Sequence, residues 1–224
     1  MLLDWIFTPR CACCQNTINH KLSLCECCLV TFPFFCPKQS NLLHRPDVTR
    51  VISLKYCDGL FACGWYQGWL QYWLSQYKFH KQTYIKRILM QLINYQMQRF
   101  WQYGGFNPDL YLFIPLSQTR YVTRGYNQVS QTWSPVLKKH SNVSEALFRV
   151  RATKAQSTLS RAQRKRNLKD AFSLSHCIQG KNIAIIDDVI TTGSTMDAAA
   201  QTCLDAGAAK VWAFATSLTP LLGK

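Results

Sequence analysis

Thirteen consecutive residues constrain this chain more than any other feature. Residues 183–195 read Ile-Ala-Ile-Ile-Asp-Asp-Val-Ile-Thr-Thr-Gly-Ser-Thr. An unbroken apolar run of this kind predicts a strand buried on both faces, and such strands belong to parallel sheets covered by helices. The run delivers two adjacent carboxylates, Asp187 and Asp188, to the carboxyl end of the strand, where open α/β sheets bind their ligands. A helical pattern follows at 196–206 with Gly207 as its stop, and 211–217 reads as strand again. Strand, loop, helix and strand within ~35 residues make a βαβ unit, so the expected fold class is α/β with a parallel sheet flanked by helices.

The loop carries its own chemistry. Gly193 lets the backbone turn tightly, the hydroxyls of Thr191, Thr192, Ser194 and Thr195 donate, and the amides at the helix start face outward. That combination cradles a dianionic phosphate. Two carboxylates beside it accept hydrogen bonds from a vicinal diol. A diol and a phosphate one ribose apart describe a ribose 5-phosphate. Competing readings are fewer. A nucleotide-hydrolase strand would need G-x-x-x-x-G-K-[ST] elsewhere, which Gly180-Lys181 does not complete. A phospho-acceptor receiver would place its acids on separate loops. A strand end followed by an ordinary helix cap stays open.

Other elements follow from pattern. Residues 51–54 and 60–66 are expected as strands, and 70–77 and 83–103 as helices. The second helix has Ile85, Ile88, Leu89, Leu92 and Ile93 on one side and Gly104-Gly105 as its stop. Residues 110–115 form a buried-strand pattern, 116–124 a loop and 127–138 a helix. The charge-free stretch 59–77 holds Trp65, Trp69 and Trp73 at i, i+4 and i+8, with Gln71 and Ser75 on another face. It reads as an amphipathic segment docked on a core, not a membrane span. Met1 to Trp5 lack the pattern of a secretory leader, so the expectation is a soluble, cytoplasmic protein.

Eleven cysteines in that compartment are thiols or metal ligands, not a disulfide framework. Seven lie between Cys11 and Cys36, and Cys11, Cys14, Cys25 and Cys28 fit C-x2-C-x10-C-x2-C, two turns able to close a tetrahedron around Zn2+. Cys13 and Cys27 offer alternative registers, Cys36-Pro37-Lys38-Gln39 is half of a second pair, and metal-free structural thiols remain an alternative. Residues 37–47 are polar with two prolines and read as a linker. The expected organisation is a cysteine-rich zinc module at 1–45 and an α/β domain at 46–224.

Twenty-six Lys and Arg against eleven Asp and Glu give a formal charge of +15. Such a surplus favours polyanions: nucleic acid, phosphorylated metabolites or anionic membrane surfaces. A basic surface kept for solubility also accounts for it. Arg149, Arg151, Lys154, Arg161, Arg164, Lys165, Arg166 and Lys169 form a run without an acid, readable as a mobile lid, a solvated face or a nucleic-acid arm.

The strand, acid pair and Thr-Thr-Gly-Ser-Thr loop resemble the type I phosphoribosyltransferases. The wider pattern resembles the ComF family of competence-associated proteins: a cysteine-rich start, Lys78-Phe79, Pro115-Leu116, Arg124-Gly125-Tyr126-Asn127-Gln128, Gln156-Ser157-x-Leu159-Ser160 and Arg166-Asn167 ahead of the acidic loop. The resemblance covers nearly the whole chain. It implies a type I phosphoribosyltransferase-like domain behind a small zinc module. It further implies that Asp187 and Asp188 hold the ribose hydroxyls of 5-phosphoribosyl 1-pyrophosphate and that 191–195 hold its 5-phosphate. Leu116, Ser117, Arg124 and Gly125 would surround the pyrophosphate, with Mg2+ bound through the substrate. Neither Glu26 nor Glu145 lies near the motif, so no general base is nominated and catalysis stays open. Two function classes follow. One is a protein of natural competence that handles transforming DNA, with single-stranded DNA and other DNA-uptake proteins as partners; the other is a nucleotide-salvage transferase.

Overall fold

Alternate side chains along the predicted strands sort onto two faces of one sheet. In the computed structural model the described residues are 8–19, 21–79, 82, 84–116, 121–122, 125–138, 142–150 and 171–221. Their elements in chain order are α1 (Glu26–Val30), a 3-10 turn (Leu42–His44), α2 (Pro46–Thr49), β1 (Gly59–Trp65), α3 (Gly68–Phe79), α4 (Ile85–Gln102) and β2 (Leu110–Phe113). Then come α5 (Gln128–Leu137), β3 (Asn142–Ser144), β4 (Leu147–Arg149), β5 (Phe172–Leu174), β6 (Asn182–Ile190), α6 (Ser194–Asp205) and β7 (Lys210–Leu218). Five strands form a parallel sheet in the order β1-β7-β6-β2-β3, and β4 and β5 form a separate antiparallel pair.

The alternation is complete in the central strands. Ile183, Ile185, Val211, Ala213 and Ala215 face one way, into a core shared with Met196, Ala199, Ala200 and Cys203 of α6. Ala184, Ile186 and Phe214 face the other way, onto Ile93, Met97 and Phe100 of α4 and Val129, Trp133 and Val136 of α5. The Trp133 indole N–H donates to the Thr216 hydroxyl at 2.9 Å, which satisfies both polar groups inside that layer. A third core joins Cys11, Leu24 and Phe32 of the cysteine-rich start to Leu70, Trp73 and Leu74 of α3 and Ile88, Leu89 and Leu92 of α4.

Three expectations are corrected. Residues 51–54 are not a strand: Ile52 is buried behind the acidic loop, and the Ser53 N–H bonds to the Thr192 carbonyl of that loop. Residues 37–47 do not hang free as a linker, because Leu42 enters the main core. The tryptophan series is not one helical stripe. Trp65 ends β1, Trp73 is buried, and Trp69 is 47% exposed. Sequence reading also missed β3 and the β4–β5 pair, each strand being only three residues long. Among the described residues no helix is long and apolar enough to cross a membrane.

Candidate functional site

The carboxyl edge of the sheet opens beside β6. Pairing with β2 ends at Phe113 and Ile186, with one further bond from the Ile114 N–H to the Ile186 carbonyl at 2.9 Å. Pairing with β7 continues to Ile190 and Leu218. From Asp187 onward β6 has a neighbour on one side and a crevice on the other, the kind of split where α/β sheets take ligands. The acids therefore lie within β6, Asp187 three and Asp188 two residues before its end at Ile190, so the strand runs on past Ile186, where the apolar run stops.

Alternation separates the two acids. Asp187 follows Ile185 to the α6 side and lines a shallow hollow with residues 189–196. Asp188 follows Ile186 to the other side, where its Oδ2 lies 2.8 Å from the Lys78 Nζ at the end of α3; the two side chains are only 14% and 15% exposed. The backbone N–H of Asp188 donates to Asp187 Oδ1 at 2.8 Å. Burial, and then the Asp188 charge, push the Asp187 carboxyl up to about 7, while Lys78, that amide and Arg149 pull it back.

Behind the hollow the loop is rigidly placed. Gly193 precedes α6 with φ +87° and gives the helix no side-chain cap. A Cβ there would lie 2.8 Å from Leu54 Cδ2 and 2.9 Å from the Ser53 carbonyl oxygen, so glycine is required by conformation and by space. The Ser53 N–H donates to the Thr192 carbonyl at 3.2 Å. One turn into α6, Asp197 Oδ1 accepts the backbone N–H groups of Lys55 and Tyr56 at 2.6 and 2.9 Å. The Thr192 and Ser194 hydroxyls are 2.6 Å apart across the mouth. The result is a small cup of hydroxyls at a helix start, next to one carboxyl of raised affinity for protons. Its chemistry suits an anion with hydroxyl groups attached.

Of the expected pyrophosphate contacts, Leu116 is half-buried just past β2, and Gly125 has φ +80° with its N–H donating to the Tyr121 carbonyl at 2.7 Å. Ser117 and Arg124 lie outside the described residues, as do 151–170 of the basic run. Arg149 is described: its Nε donates to the Pro115 carbonyl at 3.0 Å and its guanidinium lies 4.8 Å over the Phe172 ring. Asn127 caps α5 by accepting the Val129 N–H at 3.0 Å, and its amide donates to the Ile114 carbonyl at 3.2 Å. The Tyr126 hydroxyl donates to the Tyr77 carbonyl at 3.4 Å, so this loop is tied to the turn of α3 that carries Lys78.

The second cluster is at the other end of the chain. The sulfurs of Cys11, Cys14, Cys25 and Cys28 all lie within 4.8 Å of one another, Cys14 and Cys25 at 3.6 Å. Four thiolates on a tetrahedral Zn2+ at ~2.3 Å sit about 3.8 Å apart, so these four could hold such an ion. Cys13 and Cys27 are not in the group. The Cys11 thiol falls to about 6: burial opposes this, but contacts with the Cys14, Cys25 and Cys13 backbone outweigh it. The Cys28 thiol is driven well up by the Cys14 and Cys25 sulfurs crowding it. A divalent cation relieves that crowding. Gln91 of α4 clamps the second cysteine turn: its Oε1 accepts the Ser23 and Leu24 N–H groups, and its Nε2 donates to the Leu24 carbonyl, all at 2.9 Å.

No family model matches the chain. It is 33% identical over 215 residues to the DNA utilization protein YhgH of Escherichia coli K12, covering 93% of this chain and 90% of that protein. It is 29% identical over 204 residues to Competence protein F of Haemophilus influenzae, covering 85% and 89%. It is 26% identical over 202 residues to Competence protein ComFC of Streptococcus pneumoniae, covering 90% and 78%. The chain belongs to the ComF family.

In this ComF protein the sequence motif Lys78-Phe79 acquires a place: Lys78 sits on the acid pair, which no spacing rule links to residue 188. Asp197 and Gln91 were missed for the same reason. Each is one polar residue on an amphipathic helix whose partner is remote in sequence, and only a fold brings the two together.

Proposed function

We propose that this protein binds 5-phosphoribosyl 1-pyrophosphate, with Mg2+ carried on the pyrophosphate, at the carboxyl edge of β6. The observation that carries the reading is the hollow that combines Asp187 with residues 189–196 at the start of α6. In this reading the 5-phosphate lies against Thr191, Thr192, Gly193, Ser194 and Thr195, and the ribose hydroxyls donate to Asp187 and Asp188. The pyrophosphate extends toward Leu116, Ser117, Arg124 and Gly125, with cations of the 149–169 run closing over it. Mg2+ supplies charge neutralisation there. Transfer of the ribosyl group to a nitrogen base, as in nucleotide salvage, is the alternative use of the same site. Zn2+ on Cys11, Cys14, Cys25 and Cys28 completes a module spanning 1–45 ahead of the domain at 46–224.

Calorimetric titration with Mg2+ present tests the site. Asp188→Asn is expected to weaken phosphoribosyl pyrophosphate by about 1.5–3 kcal/mol and to affect a 2,3-dideoxy analogue little. Thr192→Val is expected to weaken both ligands alike. Wild-type protein with no affinity at millimolar ligand would remove the reading.

The biological setting we propose is natural competence, on the cytoplasmic side, in the processing of transforming DNA. Support comes from the relatives, which are named for DNA utilization and competence, and from the +15 charge. Single-stranded DNA is then a partner alongside other DNA-uptake proteins. Binding is expected to be weak, independent of sequence and steeply reduced between low and physiological salt. Binding indifferent to salt would argue against phosphate contacts, and none at low salt would return the basic run to the role of lid.

A further inference from the structure

Three features outside the roles already assigned stand out. A groove lined by Phe32, Trp65, Trp69 and Leu70 has ligand-like dimensions, but nothing charged on it identifies an occupant. The outer face of α3 exposes Trp69, Tyr72 and Phe79, but nothing among the described residues shows what covers it. The third feature is the Lys78–Asp188 pair, and it carries an inference.

Among the described residues there are two ion pairs. One, Arg45–Asp47, joins near neighbours in the chain; the other, Lys78–Asp188, lies in the crevice. Lys78 is not a drifting surface side chain. Tyr77 beside it is 3% exposed, packs against Tyr126 at 5.5 Å between ring centres, and gives its carbonyl to the Tyr126 hydroxyl. The same helix is rooted in the core through Leu70, Trp73 and Leu74. The position of the ammonium is therefore fixed to within the reach of one side chain. Asp187 lines the hollow with residues 189–196, and the next residue, Asp188, meets Lys78 on the other side of β6. A ribose 5-phosphate with its phosphate on the loop and its diol on the acids has its C1 end toward Lys78. The group on C1 of phosphoribosyl pyrophosphate is a pyrophosphate, which is an anion.

We propose that Lys78 is the cation that selects the C1 pyrophosphate: it holds Asp188 in the free protein and exchanges that partner for a pyrophosphate oxygen when the diol takes the carboxylate. The inference rests on the reading of the acid loop given above. The exchange is isocoulombic. One ion pair is broken, one is formed, and no charge is left buried without a partner, so entry of the ligand avoids the penalty of stranding either ion. It also gives the site a preference that the loop and acids alone cannot supply, because they meet only the ribose 5-phosphate half common to substrate and hydrolysed product. An ammonium with three donors on a flexible stem can make this move.

Calorimetry of two ligands on three proteins tests it. With Mg2+ present, wild type is expected to bind phosphoribosyl pyrophosphate more tightly than ribose 5-phosphate. Lys78→Gln is expected to lower affinity for phosphoribosyl pyrophosphate about tenfold or more, the loss of one charge-assisted bond. Its affinity for ribose 5-phosphate should hold or rise, because Asp188 no longer has an internal competitor. Lys78→Arg keeps the charge and should retain the preference. Equal loss of both ligands in Lys78→Gln, with the thermal transition intact, would mean that Lys78 only positions Asp188. Unchanged affinity for phosphoribosyl pyrophosphate would likewise overturn the proposal. If Lys78→Gln fails to fold, the ratio of the two affinities in Lys78→Arg decides: a ratio that collapses although the cation is kept goes against it. A wild type that binds neither ligand is a different failure, that of the acid-loop reading itself.

Discussion

The cysteine cluster and the acid pair are both concentrations of groups that become anions, and they resolve that problem in opposite ways. The four thiols at Cys11, Cys14, Cys25 and Cys28 crowd together, and among the described residues neither ion pair involves them. Their protons are unevenly held, loosely at Cys11 and tightly at Cys28. Of the two carboxylates, Asp188 has Lys78 at 2.8 Å, supplied by a helix remote in sequence. The first cluster could take an external cation. The second is complete by itself, and any ligand must compete with an internal partner. A site of the first kind contributes stability when filled, whereas one of the second kind can stay folded when empty.

Removing metal attacks that contrast most strongly. Purified protein is expected to carry about one Zn2+ per chain by elemental analysis. Chelation or Cys14→Ser is expected to lower the melting temperature by ~10 °C or more. Because Cys11 and Leu24 share a core with α3 and α4, amide exchange should rise in 68–102 while β6 and β7 stay protected. A metal-free protein, equally stable after chelation, would erase the difference between the clusters.

A smaller effect comes from Asp187. Its folded-state carboxyl is raised to about 7, against roughly 4 in an unfolded chain. Below pH ~4 both states hold the proton and the group contributes nothing. Between ~4 and ~7 the unfolded chain releases it and the native state does not, so stability falls as pH rises, and above ~7 the penalty is complete. Asp187→Asn removes the penalty. Its melting temperature should exceed that of wild type by an amount that grows from pH ~4 to pH ~7 and then levels, the full difference being on the order of 8 °C. A gain independent of pH would show that the acid pair is not strained in this way. The smallest effect is expected from Cys13→Ser, which lies outside the four-sulfur group and should leave both zinc content and melting temperature within about 1 °C of wild type.

How much of this was legible beforehand follows from locality. Residues 183–195 carry strand, acids, loop and helix start in one continuous stretch, so periodicity and turn chemistry suffice to read them. The two Cys-x2-Cys pairs are equally local; what spacing left open was the register, and the four sulfurs that lie together are those of Cys11, Cys14, Cys25 and Cys28. Residues 51–54 misled because a short stretch with three apolar residues of four looks alike whether it joins a ladder or packs behind a loop. Trp65 misled because a spacing of four continues across the end of a strand into the next helix. Lys78, Gln91 and Asp197 were out of reach, since each acts on a group that only the sheet order brings near.

That order has a consequence for how the molecule comes into being. β7 lies between β1 and β6, although β1 is formed from residues 59–65 and β7 from 210–218. During synthesis the part bearing β1, α3 and Lys78 leaves the ribosome long before the strand that welds it to β6. Until then the lysine and its carboxylate belong to two halves of a sheet with a missing central plank. Arrival of β7 closes the plank and joins β1 to β6. A chain cut short before that strand would fail to become a weak binder of anything. It would expose the flanks of two half-sheets, and the cell would meet it as a substrate for its proteases.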